Sequence, residues 1–131
     1  MAEGAPTRGV EAVFTNCTGP CGVVQLLRAP NGREIEVLSS LHGLKTADAG
    51  VASYRVAASR LGCRRPDPSP FIVIEALPAT ADDDFRVPTV RSRASLRRVR
   101  TIRVLEVADD GTTKQAACAR GFLLSIEFQS R

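Results

Sequence analysis

Tryptophan is absent from this sequence, tyrosine, histidine and methionine occur once each, and aromatic residues amount to only 5% of the chain. A core must therefore be assembled from Val, Leu, Ile and Ala, and flat platforms on which nucleobases could stack are scarce. The lone histidine, His42, falls in an irregular stretch and reads as a solvated side chain. No nucleophile–base motif, phosphate-cradling glycine loop, dinucleotide fingerprint or His-Glu metal signature is present, so the expectation is a protein that is not an enzyme and carries no cofactor. No stretch approaches the roughly 20 apolar residues that span a bilayer, and the polar start from Met1 to Gly9 lacks a signal-peptide core. No membrane partner is expected, and the protein reads as made and kept in a cytoplasm.

Cysteine is sparse too: Cys17, Cys21, Cys63 and Cys118. A chain of 131 residues has the length of one domain and can bury roughly two-thirds of its unfolded surface. It does not need a disulfide framework, and free thiols are the expectation. Cys17 and Cys21 bracket a turn, but they supply two ligands where structural zinc takes four. A local disulfide under oxidising conditions is the other reading of that pair.

What the chain does have is apolar content of 44%, enough to fold, and a basic surplus of 18 Lys and Arg over 14 Asp and Glu. The surplus is segregated. Arg86, Arg91, Arg93, Arg97, Arg98, Arg100 and Arg103 follow one another without an acid, just after the run Asp82, Asp83 and Asp84. Such a block favours a polyanionic partner.

Alternation of apolar and polar residues predicts a strand at Glu11 to Thr15, another at Val23 to Leu27, and a third at Glu34 to Leu38 beyond the turn signal Asn31-Gly32. A fourth strand is predicted from Val51 to Arg60, with Tyr54, Val56 and Ala58 on one face and Arg55, Ala57 and Ser59 on the other. Prolines 66, 68 and 70 end it. Phe71 to Leu77 reads as a fifth strand and Ala79 to Pro88 as a polar loop. A long basic strand from about Val90 to Val107 follows, with a bulge near Arg97-Arg98. Arg91, Arg93, Ser95 and Arg97 then share a face from which each guanidinium can meet a phosphate. The competing reading pairs these arginines with Glu34, Glu36 or Glu75 on neighbouring strands.

Two readings stand open for the tail from Asp109 to Phe128. As a helix, it is capped by Asp109 or Asp110 and shows Ala116, Ala119, Leu123 and Ile126 on one apolar face. As a hairpin, it turns at Asp110-Gly111 and returns as a strand from Phe122 to Phe128. Ala116-Ala117-Cys118-Ala119 favours the helix, and Gly121 counts against it. The fold class expected is therefore α+β: an N-terminal β-hairpin and antiparallel meander sheet followed by a C-terminal α-helix, in one domain over residues 1–131.

This order resembles the coat proteins of single-stranded RNA bacteriophages, the leviviruses. The resemblance is carried by Ala52-Ser53-Tyr54-Arg55-Val56, by Phe71 through Pro78, by Phe85-Arg86-Val87-Pro88 with Arg93 and Leu96, and by the tail from Ala108. It spans roughly Val10 to Phe128. It implies a homodimer with joined sheets and interlocked helices, in which Tyr54, Val56, Ala119, Leu123 and Ile126 pack at the dimer. It further implies assembly of dimers into an icosahedral shell, a virion put together in the bacterial cytoplasm. Single-stranded RNA would lie on the sheet face bearing Arg55, Ser59, Arg91, Arg93, Ser95 and Arg97. The chain departs from that pattern by ending soon after one helix and by apolar or acidic residues at several hairpin-reading positions. The alternative expectation is a small RNA- or DNA-binding regulatory protein that forms no particles.

Overall fold

A computed structural model of the protein describes residues 7–15, 20–43, 50–67, 70, 72–76, 84–92 and 95–126. Among the described residues nine strands are formed: β1 (Thr7–Phe14), β2 (Cys21–Arg28), β3 (Glu34–His42), β4 (Val51–Ser59), β5 (Ile72–Ala76), β6 (Asp84–Arg91), β7 (Thr101–Ala108), β8 (Thr113–Arg120) and β9 (Phe122–Ile126). They make two antiparallel sheets, one ordered β6-β3-β2-β1-β9 and the other β5-β4-β7-β8.

The period of two seen in the sequence is what buries one face of each sheet. In β3, Ile35, Val37, Ser39 and Leu41 are buried while Glu36, Ser40 and His42 are exposed. Val10, Ala12, Phe14, Val24 and Leu26 complete that inner face. Tyr54, Val56, Ala58, Ile102 and Val104 of the second sheet close over it. Face-to-face packing of this kind makes a β-sandwich. Each such side chain taken fully out of water contributes roughly 1.5–3 kcal/mol.

Among the described residues no α-helix is present, and the α+β expectation is corrected to an all-β fold. Asp110 caps a turn, not a helix. Its carboxylate accepts hydrogen bonds from the hydroxyl and the amide of Thr112, and those bonds hold its carboxyl below the ordinary value. Gly111, at φ 85°, completes the β7–β8 hairpin. The alanine-rich segment becomes β8 because β7 needs a partner on its open edge, and Ala117 and Ala119 pack toward the core opposite Val104 and Ile102. A bulge falls between Val104 and Leu105 and leaves Ala116 outside the ladder. That extra residue breaks the alternation, so a strand showed helical spacing.

Gly121 then carries the chain from one sheet to the other. A Cβ there would lie 2.7 Å from Cγ1 of Val10, so only glycine lets β9 begin at once beside β1.

Three more expectations are corrected. The long strand from Val90 to Val107 is broken: β6 ends at Arg91, a 3-10 helix spans Leu96–Arg98, and β7 starts at Thr101. Leu96 and Val99 turn inward between the sheets, which removes the alternation a continuous strand would need. The polar loop ending at Pro88 is shorter than expected, because β6 begins at Asp84. Pro88 is accommodated on this edge strand, where the register to β3 shifts between Ile35 and Val37. The thiols are not free: Cys63 is bonded to Cys118, with a Cα–Cα distance of 5.7 Å, and Cys21 is disulfide-bonded as well.

Candidate nucleic-acid interface

The outer face of the second sheet is organised around a loop that folds back on it. Residues 60–67 leave the end of β4 and lie over β7 and β8, held by five hydrogen bonds and a disulfide. The Ser59 hydroxyl donates to Asp67 and accepts from the amide of Leu61. The Thr101 hydroxyl donates to the carbonyl of Leu61. Nη2 of Arg103 donates to the carbonyls of Gly62 at 2.9 Å and Arg65 at 2.6 Å. The Cys63–Cys118 bond ties the middle of the loop to β8. With Arg103 only 3% exposed, the loop has buried a guanidinium and offered it carbonyl oxygens in place of water.

Ser92 and residues 95–100 lie beside that loop as a strap. At one end the amide of Ser92 donates to the carbonyl of Arg33, and the Arg28 guanidinium donates to the carbonyl of Ser92, which fastens the strap to the β2–β3 hairpin. At the other, the amide of Arg100 donates to the carbonyl of Ser59, and the amide of Gly121 donates to the carbonyl of Arg100. Strap, hairpin, loop 60–67 and the end of β8 thus form one continuous end of the sandwich.

That end is strongly basic. Its described residues include ten arginines, at positions 28, 33, 60, 64, 65, 91, 97, 98, 100 and 120, against two acids, Glu34 and Asp67. Both acids are engaged, Glu34 by the Asn31 amide and Asp67 by Ser59. Arg64, Arg65, Arg97, Arg98 and Arg100 are exposed, and none of them makes an ion pair with a described residue. Like charges held this close in water create a positive potential that draws polyanions.

The residues expected to meet RNA fare differently. Arg91, Ser95 and Arg97 are exposed; Arg91 ends β6 opposite Glu34 of β3, and Ser95 and Arg97 lie on the strap. Arg93 lies outside the described residues. Ser59 is fully buried beneath the loop with its hydroxyl committed. Arg55 is half-buried on β4, between Glu75 of β5 and Leu105 of β7, away from the strap. Of the residues expected at a dimer, Tyr54 and Val56 lie in the intramolecular core at 1% and 2% exposure, covered by the first sheet with no need of a partner. Ala119 packs against the same core. Leu123 is 61% exposed on β9, and Ile126 ends that strand with its side chain outside the described residues.

The sequence reading missed Arg60, Arg64, Arg65 and Arg120. For the first three the signal in the sequence is a basic cluster around Cys63, which has no period of two within a single strand. Among the described residues no group of three or more His, Cys, Asp or Glu could hold a metal ion. No protein-family model, no curated protein and no solved structure matches the chain.

Proposed function

We propose that this chain is a nucleic-acid-binding protein that works without catalysis, gripping the phosphates of RNA with the arginine-rich end of its sandwich. The observation that carries this reading is the set of exposed guanidiniums at positions 64, 65, 97, 98 and 100, none in an ion pair with a described residue, on segments that bond to one another. Guanidinium is suited to the task because its planar donors match phosphate oxygens in pairs.

A second reading is that of a coat protein, in which copies assemble around single-stranded RNA into a virion. It now rests on other supports than interlocked helices. Strand β9 stands at the edge of the first sheet with Leu123 exposed, a place where another copy could add. The disulfides suit a particle that leaves a reducing cytoplasm.

One experiment tests the main reading and sorts it from the second. The protein is purified from bacteria, sized, viewed by electron microscopy, and assayed for co-purifying RNA by ultraviolet absorbance, beside the variant Arg97→Gln, Arg98→Gln, Arg100→Gln. All three side chains are exposed, so folding and thermal midpoint should persist while bound RNA falls sharply. Closed particles would favour the coat reading. Parental RNA content in a folded triple variant would overturn the role of the strap.

A further inference from the structure

The described aromatic side chains are Phe14, Tyr54 and Phe122, and two of them are core: Phe14 is 5% exposed and Tyr54 1%. Phe122 is 56% exposed. It is the first residue of β9, directly after Gly121, whose amide bonds to the carbonyl of Arg100 in the basic strap. The guanidinium of Arg120 lies over its ring, 5.6 Å from the centroid. Its ladder partner on β1 is Glu11, which accepts a hydrogen bond from Gln25. Phe122 also lines an open groove of about 630 Å³, together with Val13, Pro20, Lys114 and Arg120 and with one acid, Glu106 of β7. That volume is in the range of sites that take a small organic group.

An exposed ring with a cation at its side, one residue from a phosphate-binding strap, is the combination by which proteins hold unpaired nucleotides: bases stack on the ring while basic side chains follow the backbone. We infer that Phe122 is a stacking platform for an unpaired base, so that the ligand of the basic end is single-stranded RNA and not a duplex or a base-free polyanion. This rests on the reading of the arginine-rich end as an RNA-binding surface, and adds to it the form of nucleic acid bound. A paired base keeps its faces inside its own helix and cannot offer one to Phe122. A base lying in the groove has Lys114 and Arg120 within the same lining to meet its phosphates.

The test is a fluorescence-anisotropy titration of the full oxidised chain at one fixed salt concentration, with three probes: a short labelled oligoadenylate, an RNA duplex of the same length, and a low-molecular-weight heparin. The wild-type chain should bind oligoadenylate more tightly than the duplex. Phe122→Ala should weaken oligoadenylate binding by about tenfold, the effect of losing one stacked base, with heparin binding and thermal midpoint unchanged. Phe122→Trp should restore the lost affinity. Equal binding of all three probes with no effect of Phe122→Ala overturns the stacking role and leaves the arginine-rich end standing. Absence of wild-type binding to any probe overturns both. If Phe122→Ala instead turns a dimer into monomers in sedimentation, the ring is a contact between copies and the stacking role falls.

Discussion

Arg103 belongs to the arginine block that favours a polyanionic partner, yet it is a buried structural residue. It is 3% exposed, donates to the carbonyls of Gly62 and Arg65, and gives Nη1 to Oε1 of Gln115. Its strand neighbours across the ladder are Ala57 and Cys118, small enough to leave space for the guanidinium under loop 60–67. Changing Arg103 to Leu strands those carbonyls and should lower stability by about 2–3 kcal/mol. Arg103→Lys should recover only part of the loss, since one ammonium cannot reproduce a planar fork. Urea unfolding measures this, and an unchanged midpoint in Arg103→Leu would mean that the loop holds without the guanidinium. The same contrast explains what sequence could tell at this scale. Alternation along Thr101 to Val104 correctly separates Ile102 and Val104 as core from Arg103 on the other face. Whether that other face meets water or a loop depends on residues some forty positions earlier in the chain, and no local pattern carries that information.

At the scale of elements, hairpins were the legible part. Asn31-Gly32 turns between β2 and β3 with Gly32 at φ 72°, and the meander β1-β2-β3 lies where alternation put it. Strands β4 and β5 also match their patterns closely. The tail was read against its structure because helix propensity is a weak prior, and alanines next to an unpaired strand follow the ladder. Of the two sequence readings for that tail, the fold adopts the hairpin turn at Asp110-Gly111, but the strand that returns from it is β8, while β9, from Phe122, pairs with β1 in the other sheet. Loop 60–67 was equally illegible, since its position depends on a bond between cysteines 55 residues apart. The pair Cys63→Ser with Cys118→Ser should cost roughly 2–5 kcal/mol, as loss of a native disulfide does in small domains. Hydrogen exchange should then show loop 60–67 opening before the core strands. Full protection of the loop in the double variant would assign its anchoring to Arg103, Ser59 and Thr101 alone.

For the whole molecule, the second sheet takes the place that a partner's helices were expected to fill. Tyr54, Val56, Ile102 and Val104 are covered within one chain, so these residues do not call for a partner's helices. What persists from the sequence is charge. The arginines of the strap are a contiguous block in the chain, whereas those around Cys63 and at Arg120 join them only through the fold. A surface that binds RNA by phosphate contacts must release counterions, and its affinity must fall as salt rises. If about six phosphates of a single strand are engaged, the logarithm of the association constant should fall against the logarithm of salt concentration with a slope of about −4. This salt titration of oligoadenylate binding by the wild-type chain is the most direct measurement of the central claim. The account predicts a slope near that value, reduced by about two when Arg97, Arg98 and Arg100 are changed to Gln. A slope close to zero, or one that the triple substitution leaves unchanged, would contradict it.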